Sequence, residues 1–400
     1  MKKSSRVLCF KIFLAAFAVV LVLAPSTFTH VPDIEQRVVV SVLGVDAADD
    51  GYKVSAQVII PKRATEGDPK QEVVDADGKS VSEAIDKLNR AMGRRVDLGH
   101  CGVIVVGKTL AEQGIRRELE YLFAGGIVTP GTNLICTKSE AGAFIKKAVS
   151  LAANSVTGLD SFITYASTGS HTATLTLNRF LSSIEAESNT SYMPILEIDD
   201  GGEQSEQSDG QAAQAAAQQG NEQSQTVIKS AESIAVFYDG VLCGTFDAEL
   251  TRGLVWVDRK SDSGQIQLDK FEYDGKDYGG IYACLRHKKR KYCAHFDENG
   301  VPIFTVRLNV KAELQDKHTL NELADSVGIK EATKQIQDAF TAKIEKEITE
   351  TYLAGLAMGA DIFEVRSAFY KGQYDGYAAY GKAEFLHDVQ LRFEIRVKVV

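Results

Sequence analysis

The sequence predicts an α+β fold in two or three domains, with a C-terminal sheet covered by a long helix. Strand-like runs and amphipathic helices mix through residues 33–199, and they include hairpins as well as crossovers. Residues 304–314 and 389–399 alternate between apolar and polar side chains, so each run should bury one face in a sheet. Between these runs, apolar side chains recur at steps of four, a helical period that can cover the buried face: Ile336, Phe340, Ile344, Ile348 and Tyr352.

The composition indicates a mostly soluble protein with more than one folded part. The chain has 400 residues, of which 44% are hydrophobic, and this is enough for two cores. A mean hydropathy of -0.12 excludes a polytopic membrane protein. A net charge of -9 argues against nucleic-acid binding, which depends on neutralising phosphates.

Residues 200–226 divide the chain. This segment is rich in Gln, Gly, Ala and Ser, and it lacks the apolar surface needed to offset the entropy of ordering. We therefore predict a disordered linker between an N-terminal domain of residues 25–199 and a C-terminal domain of residues 227–400. The second domain can be subdivided near residue 300.

The N-terminus predicts export. An unbroken apolar run spans residues 12–24, and four basic residues precede it: Lys2, Lys3, Arg6 and Lys11. Residues 1–24 are therefore interpreted as a signal peptide or a retained signal anchor. We favour retention, because Pro25 is a poor residue to follow a cleavage site. The basic residues on the N-terminal side place the rest of the chain outside the cytoplasm.

Strands and helices can be assigned through the N-terminal domain. Strand-like runs occupy residues 37–45, 52–60, 101–106, 133–137 and 192–198, and the first two form a hairpin. Residues 68–79 are predicted to be a polar loop. Ser80 followed by Glu83 has the spacing of a capping box and begins a helix. Further helices are predicted at residues 109–123, 141–152 and 175–186.

The C-terminal domain begins with a predicted hairpin at residues 234–246, because Asp239-Gly240 between two apolar runs favours a tight turn. Asp247 can cap a short helical turn, which Arg252-Gly253 ends before a third strand at residues 254–257. Further strands are predicted at residues 265–268, 278–286 and 291–296. The last two are expected to form a hairpin around a basic turn, residues 287–291.

Several short motifs in this chain resemble those of the C-subunit, or Ger(x)C, family of bacterial spore germinant receptors. Leu98-Gly99-His100 precedes an apolar strand, as in the family's N-terminal domain. The other residues that carry the resemblance are Ala235, Phe237, Gly244, Arg252, Gly253, Trp256 and Asp361. The matches occur in the family's order through most of residues 33–400.

The resemblance implies a non-enzymatic, extracytoplasmic and membrane-associated subunit at the outer face of the spore inner membrane. Its partners would be two integral-membrane receptor subunits, and the small nutrient germinant would be bound by a partner subunit. An alternative function is a free solute-binding or cell-surface protein that captures a ligand between its domains. Family members are typically lipoproteins, but Cys9 precedes the apolar run and the next cysteine is Cys101. A retained anchor would replace the lipid.

Two motifs suggest other chemistry. Residues 102–109 satisfy the phosphate-binding loop pattern, but their four spacer residues are β-branched and favour a buried strand over a loop that wraps phosphates. Two cysteines and two histidines near the basic turn could hold zinc: Cys284, His287, Cys293 and His295. A Cys284–Cys293 disulfide or free thiols are the alternatives.

The sequence contains no constellation of residues that predicts catalysis. His100 is without an accompanying nucleophile motif, and Asp361 at a predicted helix end is interpreted as a turn residue. We therefore expect no enzymatic activity and no cofactor. Trp256, in the apolar run after Arg252-Gly253, is expected to be buried.

Overall fold

The computed structural model describes residues 37–60, 70–152, 173–199, 227–229, 233–258, 264–381 and 385–400, with isolated residues 13, 14, 17 and 159. The predicted linker, residues 200–226, and nearly all of residues 1–24 lie outside this part. Among the described residues, no helix combines the length and the apolar character needed to cross a bilayer.

The described strands, in chain order, are β1 Arg37–Ala48, β2 Gly51–Ile60, β3 Lys70–Gly78, β4 Arg95–Asp97, β5 Val103–Val106, β6 Asn133–Cys136, β7 Leu175–Thr176, β8 Thr190–Pro194, β9 Glu197–Asp199, β10 Val227–Lys229, β11 Ile234–Tyr238, β12 Val241–Phe246, β13 Gly264–Leu268, β14 Glu272–Tyr273, β15 Lys276–Asp277, β16 Ile281–Phe296, β17 Pro302–Leu314 and β18 Gln390–Val399. The helices are α1 Val81–Met92, α2 Lys108–Gln113, α3 Arg116–Ala124, α4 Ala141–Ala152, α5 Leu177–Glu185, α6 Ala248–Val257, α7 His318–Val327, α8 Ile329–Ala357, α9 Val365–Gly372, α10 Tyr374–Tyr380 and α11 Phe385–Asp388. This mixture confirms the α+β prediction.

The first half is a mixed sheet in the order β3-β2-β1-β5-β6-β7, with β4 also pairing with β1. The hairpin of β1 and β2 is antiparallel, whereas β1, β5 and β6 are parallel. Apolar side chains of α4 cover one face of this sheet and those of α1 belong to the core on the other. The four residues of β5 are therefore all buried, which accounts for their uninterrupted apolar sequence.

The expected capping box begins α1. The N–H of Glu83 donates to Ser80 Oγ at 3.2 Å, and the Glu83 carboxylate accepts from the N–H of Lys79 at 2.9 Å. The prediction of a polar loop at residues 68–79 is wrong, since β3 pairs with β2 over its whole length. An edge strand is held by backbone hydrogen bonds, so it can form from a largely polar sequence.

Three other boundaries in the first half differ from the sequence prediction. The helix expected at residues 109–123 is two helices, because Gly114 has a φ of +111° and the N–H of Ile115 donates to Gly240 O. The helix expected at residues 175–186 begins two residues later, after β7. The strand expected at residues 192–198 is divided into β8 and β9.

The second half contains the predicted sheet and covering helix. Its strands run in the order β13-β16-β17-β18, and β17 and β18 are parallel. Helix α8 contacts both edge strands, β13 and β18, and therefore crosses the sheet. The five residues that predicted this helix are all buried: Ile336, Phe340, Ile344, Ile348 and Tyr352.

The hairpin expected around residues 287–291 is wrong. These residues lie within β16, a single strand of 16 residues that carries a bulge between Leu285 and His287. Lys288, in the middle of the basic run, is 3% exposed and its Nζ donates to Val255 O at 2.8 Å. The basic run is therefore part of a paired strand, and a backbone carbonyl of α6 accepts from its buried lysine.

The two halves are joined by β-sheet. Strand β8 of the first half pairs with β11 of the second, and β12 completes a three-stranded sheet. The turn between β11 and β12 has positive φ at Asp239 (49°) and Gly240 (80°), as the sequence predicts for a tight hairpin. One apolar core cluster contains buried residues of both halves.

Candidate functional site

Motif residues of the second half pack helix α6 against α8 and join this half to the first. Helix α6 begins at Asp247, whose carboxylate accepts from the N–H groups of Glu249 and Leu250 at 3.1 and 3.0 Å. The expectation that Arg252-Gly253 ends this helix is wrong, as is the strand expected at residues 254–257. The helix continues to Val257.

Gly253 lets α6 approach α8. A Cβ atom at this position would lie closer than 3.0 Å to Thr351 Oγ1 and to the carbonyl oxygen of Glu347. The Thr351 hydroxyl also donates to Leu250 O at 2.7 Å, which ties the two helices together. The glycine is therefore required by close packing, and it does not terminate the helix.

Glu347 is the acceptor that organises this contact. Trp256 Nε1 donates to Glu347 Oε2 at 2.6 Å, and Arg252 forms an ion pair with Oε1 at 3.4 Å. Lys343 lies 3.6 Å from the same carboxylate. Trp256 is 4% exposed, as expected, and Lys288 Nζ lies 5.3 Å from the centroid of its ring. Arg252, Gly253 and Trp256 thus act together to dock α6 on α8.

Sequence reasoning missed Glu347, although its position carried a signal. It lies three residues after Ile344 and one before Ile348, on the apolar face of the predicted helix. A carboxylate there is 7% exposed and needs a polar partner inside the core. The helical period could therefore have identified a buried acceptor at this position.

Asp361 joins the second half to the first. Its carboxylate accepts from the N–H groups of Val365 and Arg366, both at 2.8 Å, and so caps α9. Its own N–H donates to Thr190 Oγ1, in β8, at 2.9 Å. Burial raises the pKa of Asp361 to about 6, although the two backbone N–H groups act in the opposite direction.

The remaining motif residues of the second half are Ala235, Phe237 and Gly244. Ala235 and Phe237 in β11 are buried, and Phe237 makes an edge-to-face contact with Phe180 of α5 at 5.4 Å between ring centroids. A Cβ at Gly244 would lie 2.5 Å from Met358 Sδ. These residues occupy packing positions and present no reactive group.

Gly99 and His100 lie in a surface loop away from the junction between the two halves. The Gly99 N–H donates to Asp97 Oδ1 at 2.9 Å, and Asp97 forms an ion pair with Arg37 at 3.1 Å. His100 is exposed. Residues 103–106, within the phosphate-loop pattern, form the buried strand β5.

Cys284 and Cys293 do not meet. Both are free thiols on β16. Nine residues along one strand separate them by about 30 Å. The expected hairpin is absent, and the two thiols are too far apart to form a disulfide. Within the described residues, no group of three or more His, Cys, Asp or Glu side chains is arranged to hold a metal ion.

A cavity of about 470 Å³ opens at the junction between the two halves, and both halves line it. Arg179 of α5 forms an ion pair with the buried Asp258 at 3.3 Å, and Ser183 Oγ donates to Glu364 at 3.3 Å. The Tyr192 side chain is buried, and its hydroxyl faces the carboxylate of Asp258. Burial raises the pKa of this phenol. The cavity is therefore lined by charged groups of both signs and by a phenol hydroxyl.

Comparisons with known proteins match both halves of the chain. A family model described as the spore germination protein N-terminal domain matches residues 30–198. A second, described as spore germination B3/GerAC like, C-terminal, matches residues 232–400. The chain has no match among curated protein sequences.

A solved structure supports the same assignment at the level of the fold. It is described as the crystal structure of the GerBC protein, and it is 14% identical to this chain with a TM-score of 0.50. The alignment covers 90% of this chain and 96% of that one. The motif residues, the fold and the two matched domains together show that the chain belongs to the Ger(x)C family of spore germination proteins, the C subunits of germinant receptors.

Proposed function

We propose that the chain is a non-enzymatic, extracytoplasmic subunit of a spore germinant receptor, located at the outer face of the spore inner membrane. It acts by assembling with integral-membrane subunits, one of which binds the small nutrient germinant. The observation that carries this proposal is that both family domains match, in order, along the chain.

The junction supports a scaffolding role. Arg252, Gly253 and Trp256 are used to dock two helices, and Asp361 caps a third helix while binding the first half. The Asp361–Thr190 contact joins the two halves, and the contacts of α6 with α8 fix the second half. A subunit that presents binding surfaces to partners requires such a fixed arrangement. Residues engaged in this way are not available for catalysis.

Deletion of the gene tests the proposed function. Spores that lack this chain should keep their optical density when the germinants of this receptor are added. The fall in optical density should return when the full chain is restored. Germination by stimuli that bypass the receptor should be unchanged. Unaltered nutrient responses across a broad panel of amino acids and sugars would contradict the proposal.

The cavity favours a second candidate function, capture of a small solute between the two halves. The observation in its favour is the cavity itself, because charged side chains of both signs and the Tyr192 phenol line a space of about 470 Å³ between the halves. The test is thermal unfolding of the full chain with amino acids and sugars as probes. A probe that raises the Tm of the wild type but not of Tyr192→Phe would support capture, and no shift with any probe would reject it.

A further inference from the structure

The outward face of the C-terminal sheet is strongly basic. Side chains that alternate with the buried ones on β16, β17 and β18 point away from α8, which crosses the opposite face. Along this face lie eight cations and two carboxylates: Arg286, Lys289, Lys291, Arg307, Lys311, Arg392, Arg396, Lys398, Glu313 and Glu394. We call this set the basic face. Its net charge is opposite in sign to that of the whole chain, which is -9.

Strand pairing brings these cations into rows. Lys289 pairs with Asn309, which pairs with Arg396, and in a second row Lys291 pairs with Arg307. Lys311 and Lys398 form a third row. Neighbouring strands are about 4.8 Å apart and alternate residues about 6.6 Å apart, so like charges lie close together. The fold therefore holds mutually repelling cations side by side on an exposed surface.

Both carboxylates of the basic face form ion pairs with arginines of the same face. Arg307 Nε lies 2.7 Å from Glu394, and Arg286 forms an ion pair with Glu313. The six other cations form no ion pair with any residue that the structure describes: Lys289, Lys291, Lys311, Arg392, Arg396 and Lys398. All six are exposed. The basic face thus has unneutralised charge available to an anionic partner.

The composition of the face distinguishes between partners. The centre of a protein–protein interface is depleted in Lys and enriched in aromatic side chains that fill pockets. The three rows contain no aliphatic side chain and no Phe, Tyr or Trp. A broad sheet surface of long cationic side chains instead matches a plane of negative headgroups, where each Lys or Arg near the surface contributes about fivefold in affinity.

We propose that the basic face docks the chain on a membrane of anionic phospholipid, with β16, β17 and β18 lying against the headgroups. This proposal rests on the proposed function only in placing the chain beside a membrane. Docking orients the sheet towards the bilayer and leaves α8, on its opposite side, directed away from it.

The test is sedimentation of the full chain with vesicles of phosphatidylcholine alone or mixed with phosphatidylglycerol. The face variant is Lys289→Gln, Lys291→Gln and Arg396→Gln together. The matched control is Lys317→Gln, Lys330→Gln and Lys334→Gln, at the start of α7 and on α8. It removes the same charge from exposed lysines that form no ion pair with any described residue. The basic residues of the N-terminal segment are present in all three proteins, so their contribution cancels.

Wild type and control are expected to prefer vesicles containing phosphatidylglycerol, and added salt should weaken the preference. The face variant should lose about a hundredfold in affinity for those vesicles and keep wild-type binding to phosphatidylcholine. Equal losses in face variant and control would overturn the proposal, as would no preference for phosphatidylglycerol in the wild type. Binding of soluble polyglutamate by the face in place of vesicles would overturn it in favour of an acidic protein. Each of these failures leaves the gene-deletion result intact, so the two proposals are tested separately.

Discussion

Replacing Gly253 with alanine tests the close contact between α6 and α8. The new Cβ would lie closer than 3.0 Å to Thr351 Oγ1 and to Glu347 O. Forcing a methyl group into such a packed site costs about 1–3 kcal/mol, whereas alanine in place of glycine inside a helix contributes about 1 kcal/mol of stability. Because Glu347 O belongs to the backbone and cannot rotate away, the cost should lie near the upper end of its range. We expect net destabilisation of about 2 kcal/mol.

Chemical denaturation of the full chain, followed by circular dichroism, measures this change. Gly372→Ala is the matched control, since Gly372 also lies in a helix and no atom lies within 4 Å of an added Cβ. That variant should be neutral or slightly stabilised. In the double variant Gly253→Ala, Thr351→Ala the contact with Thr351 Oγ1 is removed, whereas the contact with Glu347 O remains. A Gly253→Ala protein as stable as the Gly372→Ala protein would refute the close packing of the two helices.

Three further predictions concern Trp256, Asp361 and the segment of residues 200–226. The fluorescence of Trp256, the one tryptophan of the chain, should be blue-shifted and poorly quenched by acrylamide, and Trp256→Ala should cost about 3–5 kcal/mol in the free energy of unfolding; red-shifted and readily quenched emission would show that it is exposed. The pKa of Asp361 is raised from 3.8 to about 6, so the folded state holds this proton more tightly, and its contribution to stability should fall as pH rises from 4 to 6. From pH 4 to pH 7 the urea midpoint should therefore rise more, or fall less, in Asp361→Asn than in the wild type, and an identical change in both proteins would contradict the raised pKa. Limited proteolysis should first cut within residues 200–226 and leave two resistant fragments, whereas early cleavage elsewhere would contradict the predicted linker.

The sequence predicted the elements whose signal is local and repeated. Residues 304–314 alternate over a whole strand, and α8 repeats its apolar residues over several turns, so each pattern identifies both an element and its buried face. The Ser80–Glu83 cap and the Asp239-Gly240 turn were predicted for the same reason. Their geometry depends on a few neighbouring residues only.

The errors arose where distant residues decide the local structure. Residues 254–257 have a strand-like composition, yet they complete a helix that packs on α8. There Glu347 accepts from Trp256, and the position of Gly253 leaves no space for a side chain. The basic residues of β16 have the composition of a turn, but in the structure Lys288 is buried and donates to Val255 O. No period in the sequence reveals such partners, since each contact joins segments more than thirty residues apart.

The same limit applies to the candidate site. The motif residues were identified from a resemblance, but their roles as helix-docking and capping groups required the positions of Glu347 and Thr190. Ligand capture between the domains was one alternative from the sequence, but the residues that line the junction cavity were not predicted to do so. Arg179 and Tyr192 approach Asp258 from segments that are distant in the sequence.

Affinity purification of the tagged full chain from detergent-solubilised spore membranes tests the central claim most directly. We predict that two integral-membrane proteins co-purify with it in constant ratio and remain bound through a second, size-based separation. Recovery of the chain alone from germination-competent spores, in a detergent that keeps other membrane complexes intact, would contradict its assignment as a receptor subunit.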